Sequence, residues 1–319
     1  MTDRFLVTGA LGCIGSWVCR QLIREGADVV ALDAGGSDHR LRQVLEPDEL
    51  AGLERVDCDI TDLAKLSPVV ADGVTHVVHL AALQVPLCRA SPSLGASVNV
   101  VGTVNVFEAV KAAGGLANPI VFASSVAAYD EADQGGADPS GHARTLYGVY
   151  KLANEGTARV HAADDGISSV GLRPFVVYGV GRDQGITSSP TFAMLAAAAG
   201  RPYAISYGGG SHLQLAEDTA ACFVAAARSQ YRGAGVFNLG GSEVEMSEVV
   251  AAIHAVEPRA RIEIAGSPLP FPAHVDAAPF EREVAHVEWT PLADGVRDTV
   301  TRFKALIELG SLDLDALLP

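Results

Sequence analysis

The chain has 319 residues, a formal net charge of −15, and 49% hydrophobic against 19% charged residues. This composition predicts a globular protein with a sizeable buried core and excludes long disorder. The acidic excess argues against binding to nucleic acid or to anionic lipid, because both need clustered Lys and Arg.

The N-terminal segment runs from Met1 into a short apolar stretch that breaks at Gly9. This pattern predicts a strand and a turn rather than a signal peptide. No run approaches the roughly 20 apolar residues of a transmembrane helix, so we expect no membrane partner. The cysteines lack a CxxC pair and predict buried thiols in a reducing cytoplasm, with neither disulfides nor a metal site. They are Cys13, Cys19, Cys58, Cys88 and Cys222.

Apolar runs alternate with helical patterns as far as residue 178. Strands are predicted at 5–7, 28–32, 54–58, 76–80, 119–123 and 170–172. Helices are predicted at 14–25, 94–113 and 146–163. This alternation predicts an α/β fold with a Rossmann-like, doubly wound parallel sheet, whose ligands bind beyond the carboxyl ends of the strands.

The pattern changes after residue 178. It predicts a Gly- and Ser-rich loop at 179–190, a helix at 191–199, a turn at 208–210, a helix in the later part of 213–227, a strand at 236–239, a helix at 246–256, a Pro-rich loop at 265–279 and a helix at 292–309. We therefore predict a Rossmann domain of residues 1–178 plus about 212–262. A smaller C-terminal substrate-binding lobe would comprise about 179–211 and 263–319.

A glycine-rich turn follows the first predicted strand, with the sequence T-G-A-L-G-C-I-G at 8–15. Gly9 permits a tight turn, Gly12 lets the backbone approach a pyrophosphate, and Gly15 lets the helix pack closely. Asp33 follows the second strand, where a carboxylate accepts ribose hydroxyls and repels a 2′-phosphate, so NAD is favoured over NADP. Asp59, after the third strand, is either an adenine contact or an ordinary turn residue.

A second signal is Tyr147 with Lys151, four residues apart and hence on one face of a helix. A nearby ammonium favours the ionised phenol, so Tyr147 is predicted to exchange a proton with a substrate oxygen. Ser125 follows the fifth strand and is placed to hydrogen-bond the same oxygen. Tyr150 has the wrong helical phase, and Ser124 is predicted to cap the strand end.

In this order and spacing, the three signals resemble the short-chain dehydrogenase/reductase superfamily. The G-x-x-G-x-x-G spacing resembles its extended branch, the NAD-dependent epimerase/dehydratase family. Further matches are H-L-A-A at 79–82, N-V-V-G-T-V-N at 99–105, K-L-A-N-E at 151–155, L-R-P at 172–174 and Y-G at 178–179.

The resemblance implies roles for individual residues. Tyr147 would be the acid/base, Lys151 would bind the nicotinamide ribose and tune Tyr147, and Ser125 would orient the substrate. Homodimerisation through the two long helices is also implied. The expected NAD contacts are Gly9, Gly12, Cys13, Ile14, Gly15, Asp33, Asp59, Ile60, Leu80, Ala81, Ala82, Asn99, Tyr147, Lys151 and Pro174.

Two departures from the family pattern bear on the reaction. Val126 and Ala127 stand where the dehydratases carry Asp-Glu, so dehydration is not expected, nor is the decarboxylation that needs a Glu there. Ser211-His212 stands where nucleotide-sugar enzymes carry Arg-Asp, so a diphosphate clamp is missing at that place. Arg182 either substitutes for that clamp or is structural.

The predicted substrate contacts lie in two loops and at the catalytic serine. Hydroxyls at a helix N-terminus suit a carboxylate, a phosphate or a polyol, although a simple N-cap by Ser189 explains the same pattern. The set comprises Gln84, Arg89, Ser125, Arg182, Thr187 and Ser188.

The sequence favours an epimerase that oxidises a secondary alcohol of a sugar derivative and returns the hydride to the other face. The alternative is an NAD-dependent dehydrogenase of a small sugar, sugar acid or hydroxy acid. A non-catalytic dinucleotide sensor is disfavoured, because it does not need Ser125, Tyr147 and Lys151 together.

Overall fold

The computed structural model describes residues 3–130, 133, 135–136 and 139–318. Its strands are β1 (Arg4–Thr8), β2 (Asp28–Asp33), β3 (Glu54–Asp57), β4 (His76–His79), β5 (Ile120–Ala123), β6 (Ser169–Arg173), β7 (Val176–Tyr178), β8 (Tyr203–Ile205), β9 (Gly210–Leu215), β10 (Ala234–Asn238), β11 (Ser242–Glu245) and β12 (Ile262–Ile264). Its helices are α1 (Cys13–Arg24), α2 (His39–Val44), α3 (Pro47–Gly52), α4 (Leu63–Ala71), α5 (Val85–Ala90), α6 (Pro92–Ala96), α7 (Gly102–Ala112), α8 (Leu146–Asp165), α9 (Ser189–Ala199), α10 (Ala216–Ala227), α11 (Met246–Val256), α12 (Ala278–Glu283), α13 (Leu292–Glu308) and α14 (Leu314–Leu317).

Seven parallel strands form the central sheet, in the order β3-β2-β1-β4-β5-β6-β10. The chain order reverses between β1 and β4, which is the point where ligands bind in doubly wound sheets. The predicted fold class is therefore confirmed. Two small sheets, β11-β9-β7 and β12-β8, lie outside the central one.

Hydrophobic cores cover both faces of the sheet. Phe5 and Val7 of β1 belong to one core, which also takes in residues of α1, α9, α10 and α13. Leu6, the residue between them, belongs to the other core, with residues of α4 and α7. Successive strand side chains point to opposite faces, so burial on both sides accounts for the continuous apolar runs in the sequence.

The helix predicted at 94–113 runs over Pro92–Ala112 and contains a π-helical turn at Ser97–Val101. By length and composition this helix could cross a membrane, whereas the sequence was expected to contain no run apolar enough to do so. Half of its most apolar 18-residue window is buried, as in a core helix, so the finding is weak evidence for a span.

The second half of the chain differs from prediction at several places. Residues 213–215 end strand β9 instead of beginning a helix, and β7 follows β6 after a break at Pro174 and Phe175. Gly210 starts β9, and α12 forms at the end of the Pro-rich stretch. The division into two domains stays a prediction.

Candidate functional site

The glycine-rich turn joins β1 to α1 through closely packed backbone. Gly9 has φ of +71°, and a Cβ there would stand 2.5 Å from the backbone nitrogen of Ala81. A Cβ on Gly15 would stand 2.2 Å from the carbonyl oxygen of Gly9. Only glycine fits at both positions, and the turn directs the first amides of α1 toward the strand ends.

A cavity of about 560 Å³ opens at this switch point. Of the residues predicted from sequence, those that line it are Gly9, Gly12, Cys13, Ile14, Gly15, Asp33, Asp59, Ile60, Leu80, Ala81, Ala82, Gln84, Ser125, Tyr147, Lys151, Pro174, Arg182 and Thr187. Cys13 is partly exposed there, whereas the other four cysteines are buried as expected.

The cavity suits a dinucleotide at the glycine turn. Apart from the Gly9 carbonyl oxygen at 3.0 Å, no described heavy atom lies within 4 Å of where a Cβ on Gly12 would stand. The first amides of α1 have no partner within the helix, and Gly12, its N-cap residue, supplies no capping side chain. These features leave room and hydrogen-bond donors for a pyrophosphate.

Asp33 is held by the backbone at the end of β2. Its Oδ2 accepts the Leu11 amide and its Oδ1 the Ala34 amide, both at 2.9 Å. Each carboxylate oxygen keeps a second lone pair for a ribose hydroxyl. Burial raises the pKa of Asp33, and these amide bonds partly offset the shift.

Ser125, Tyr147 and Lys151 converge on the cavity from β5 and α8. Ser125 Oγ accepts the Ala127 amide at 3.1 Å, so its own proton is free to point at Tyr147 or at a substrate oxygen. Lys151 is 3% exposed, donates to the Ala123 carbonyl at 2.7 Å, and lies 5.3 Å from the centre of the Tyr147 ring.

The electrostatics of this trio differ from the expectation that Lys151 depresses the pKa of Tyr147. Burial raises the pKa of Tyr147, and the downward contributions come from the Ser125 hydrogen bond and then from Arg182. Burial also lowers the pKa of Lys151 to about 8. Desolvation therefore dominates both groups in this structure.

The N-x-x-G-T-x-N segment supports the cavity from behind. Asn99, in the π-helical turn, bonds the backbone nitrogen and oxygen of Leu83 at 2.7 and 2.9 Å. Asn105 donates to the carbonyl oxygens of Ile60 and Thr61 at 2.9 and 3.0 Å. These side chains fix two loops that line the cavity.

Three predicted contacts do not reach the cavity. Asn99 is fully buried behind the Leu83 loop and positions that loop instead of lining the site. Arg89 is exposed in the last turn of α5. Ser188 is buried at the N-cap of α9 and donates to the Gly185 carbonyl at 2.7 Å, whereas Ser189 is the first residue of that helix and not its cap.

A buried ion pair lies behind the end of β5, the strand that precedes Ser125. Arg173 and Glu155 are 2% and 3% exposed and 2.8 Å apart. Ser124 donates to Glu155 at 2.5 Å, so it is tied to a carboxylate and does more than cap the strand. Tyr150, in contrast, bonds the Pro92 carbonyl at 2.9 Å, away from the cavity.

Arg182 brings a cation to the substrate side of the cavity. Its Nη2 donates to Thr187 Oγ1 at 2.8 Å, and its Nε is buried without a hydrogen-bond partner among the described residues. Within the described part of the chain, no carboxylate forms an ion pair with it. The guanidinium is therefore available to an anionic group.

One wall of the cavity contains an ion-pair cluster that the sequence did not predict. Arg40 Nε and Nη2 lie 2.9 and 2.6 Å from Asp183 Oδ1, and His39 Nε2 lies 2.5 Å from Asp183 Oδ2. Arg40 also donates to the Leu11 carbonyl at 3.0 Å. The residues are 143 positions apart in the chain, so no local pattern signals the contact.

The fold and this site define a dinucleotide-dependent enzyme of the extended short-chain dehydrogenase/reductase type. The model of the NAD dependent epimerase/dehydratase family matches residues 5–240, and the chain belongs to that family. NAD is accordingly its cofactor.

Relatives that match the chain include sugar-nucleotide epimerases. UDP-glucuronate 4-epimerase 3 of Arabidopsis thaliana is 37% identical over 189 residues, covering 54% of this chain but only 42% of that protein. UDP-glucose 4-epimerase of Streptomyces lividans is 29% identical over 276 residues, covering 80% of this chain and 82% of that protein.

Solved structures agree with the fold. The UDP-glucose 4-epimerase of Thermus thermophilus in complex with NAD is 25% identical, with a TM-score of 0.77 over 94% of this chain and 99% of that one. MoeE5, in complex with UDP-glucuronic acid and NAD, is 26% identical, with a TM-score of 0.79 over 95% and 99%. L-threonine dehydrogenase from Clostridium difficile shares the fold at 20% identity, with a TM-score of 0.83 over 95% and 98%.

Proposed function

We propose that the chain is an NAD-dependent epimerase that inverts a secondary alcohol of a sugar derivative bearing an anionic group. The observation that carries the proposal is the convergence of Ser125, Tyr147 and Lys151 on the cavity that also contains the glycine turn and Asp33. A proton-transfer group and a dinucleotide cradle thus face one volume, as reversible alcohol oxidation requires.

When bound, NAD supplies the acceptor and donor of a hydride. Burial raises the pKa of Tyr147, so its phenol must first lose a proton before it can act as the base. Tyr147 then takes the hydroxyl proton as the C–H electron pair leaves with the hydrogen, which converts the alcohol to a ketone. Ser125 donates its proton to the same oxygen and stabilises the charge that develops there. The hydride then returns to the opposite face of the carbonyl carbon, and Tyr147 returns the proton to the oxygen, so the carbon is inverted with no net oxidation.

The residues beside Ser125 favour epimerisation over dehydration. Val126 and Ala127 form a short 3-10 turn, are 5% and 4% exposed, and line the cavity. Neither carries a group that could transfer the proton needed to expel water from the keto intermediate.

The anionic group is inferred from Arg182. A carboxylate would accept its free donors in a charge-assisted hydrogen bond, with Thr187 fixing the guanidinium on the other side. Relatives named UDP-glucuronate 4-epimerase, and MoeE5 bound to UDP-glucuronic acid, support a uronic acid as the substrate class.

One observation favours the alternative of a dehydrogenase acting on a small sugar acid. Ser211 stands where an arginine would clamp a diphosphate, is 1% exposed in β9, and its hydroxyl has no partner among the described residues. A substrate without a nucleotide would not need that clamp.

The two functions differ in what they do with the cofactor. We would denature the purified protein with no nucleotide added and quantify the released NAD(H) per chain. The epimerase predicts near-stoichiometric NAD, and conversion of UDP-glucuronate to its epimer without net NADH. Little bound NAD, with NADH accumulating from added NAD and free uronic acids, would establish the dehydrogenase instead.

We also propose that the protein is a cytoplasmic homodimer that pairs through its two long helices. Apolar side chains on these helices are 43–58% exposed, which a partner copy would cover. They are Leu94, Val101, Leu146, Val149 and Val160. Light scattering of the purified protein tests this, and replacement of Val101 and Val160 by Glu should yield monomers.

A further inference from the structure

His212, Glu243 and His274 cluster beside the cavity, where the antiparallel strands β9 and β11 meet the Pro-rich loop. His212 and Glu243 are directly opposed partners of the antiparallel strands β9 and β11. Glu243 Oε2 lies 3.1 Å from His274 Nδ1 and 3.9 Å from His212 Nε2. The ligand atoms of all three side chains lie within 4.8 Å of one another.

We propose that these three side chains form a site for a divalent transition-metal ion of the Zn²⁺ type. Two imidazoles and one carboxylate are a donor set that Zn²⁺ accepts, with a fourth position left for water. Metal–ligand bonds of about 2.0–2.2 Å place tetrahedral ligand atoms roughly 3.4 Å apart. The distances of 3.1 and 3.9 Å bracket that separation.

The fixed member of the site is His212, which is 5% exposed. The backbone nitrogen of Val275 donates weakly to its Nε2 at 3.4 Å, so Nε2 carries the lone pair of the ring, and a bound metal would replace this hydrogen bond. Its Nδ1 is buried without a hydrogen-bond partner among the described residues.

The other two ligands have freedom to close on the ion. The side chains of Glu243 and His274 are 56% and 65% exposed. The site therefore combines one rigid ligand with two adaptable ones.

A second cluster of Glu108, His161 and Asp165 has similar donors but a different charge environment. The ammonium of Lys111 lies 2.8 Å from Asp165, and His161 Nδ1 bonds the same carboxylate at 2.8 Å. The Lys111 ammonium already neutralises this carboxylate, so we assign no metal ion to the second cluster.

The proposed ion would act as a cross-link. It would join β9, β11 and the loop that contains His274. Phe175 stacks on His212 with ring centres 5.6 Å apart, and Phe175 lines the cavity. Metal binding would thus fix one wall of the site without contacting the reacting atoms, and the inference does not depend on the proposed reaction.

The test is calorimetric titration of Zn²⁺ into the untagged, chelator-treated chain, with variants Glu243→Gln and His274→Ala. We expect one ion per chain, with affinity at least ten-fold weaker in each variant. The matched control is His286→Ala, an exposed histidine near Glu281, which should leave binding unchanged. Zn²⁺ should also raise the melting temperature of the control but not of the variants.

Substituting Co²⁺ gives an independent readout, because a tetrahedral site absorbs visible light more strongly than hexa-aqua Co²⁺. That absorption should vanish in Glu243→Gln and His274→Ala. No stoichiometric binding, or equal binding by the variants and His286→Ala, would refute the site and indicate adventitious metal on surface histidines.

Discussion

Thr103 fixes the tautomer of His79. Its hydroxyl donates to the Asn99 carbonyl at 2.8 Å, so it can only accept from His79 Nε2 at 2.9 Å. The proton therefore sits on Nε2, and Nδ1 accepts from the Thr8 hydroxyl at 2.7 Å. A neutral imidazole thus links the end of β1 to the helix that supports the cavity.

This link makes the protein sensitive to acid. Burial lowers the pKa of His79 from 6.5 to about 3. Between those values the unfolded chain binds a proton that the folded chain rejects, so the free energy of unfolding falls as the pH drops. By pH 4 the loss attributable to His79 is about 3 kcal/mol.

Urea unfolding of the wild type and His79→Gln at pH 6.5 and pH 4 isolates this contribution. The wild type should lose more stability than the variant on acidification. Equal losses in both proteins would show that other groups govern the acid response.

Replacing Tyr147 by Phe should abolish turnover while leaving NAD bound. Loss of a positioned acid/base group costs roughly 10²- to 10⁴-fold in rate. Steady-state rates and released NAD per chain measure both effects. Tyr150→Phe, three residues further along α8 and hydrogen-bonded to the Pro92 carbonyl away from the cavity, is the matched control and should retain activity. Similar rates in the two variants would remove Tyr147 from the mechanism.

Alanine at Gly9 should unfold the glycine turn. Gly9 has φ of +71°, and its Cβ would stand 2.5 Å from the Ala81 backbone nitrogen. Gly26 has a similar φ of +76°, and apart from its chain neighbours no described atom lies within 4 Å of where its Cβ would stand. Gly26→Ala therefore introduces the backbone strain alone, about 1–2 kcal/mol. The melting temperature and the amount of NAD that stays bound are measured for Gly9→Ala and Gly26→Ala. Gly9→Ala should cost more stability and lose NAD, and equal behaviour would argue against close packing at the turn.

The buried pair behind Ser124 should be costly to break. Glu155→Gln removes the carboxylate that pairs with the buried Arg173 guanidinium, and breaking a buried ion pair destabilises by about 3–5 kcal/mol. Asp294→Asn removes an exposed partner of Arg297 and should cost under about 1 kcal/mol. Denaturant midpoints of the two variants measure both losses. Similar small losses in Glu155→Gln and Asp294→Asn would contradict a large contribution of the buried pair to stability.

The central sheet was predictable because its signals are local. Strands buried on both faces are continuous apolar runs, and the glycine turn follows the first of them directly. The short strands β8 and β12 gave no such signal. They have three residues each and pair only because the chain brings Tyr203 beside Ile262.

The site was predictable where motif and chemistry coincide, as at Tyr147 and Lys151. Asn99 shows where prediction from the motif ends. The motif indicates that Asn99 lies near the cavity, but only the structure shows that its side chain holds the Leu83 backbone. The direction of the Tyr147 pKa shift also depends on burial, which helical spacing cannot reveal. Contacts between distant segments, such as Arg40 with Asp183, have no local signature.

Asp183 connects two walls of the cavity, one from α2 and one from the loop after β7. Any opening that separates these walls must break its bonds to His39 and Arg40. Departure of a dinucleotide by that route would therefore require these ionic hydrogen bonds to break. The side chains of Arg40 and Asp183 are only 13% and 16% exposed, so salt screens this ion pair much less than a surface pair, and cofactor release by that route depends on the pair as well as on the pocket.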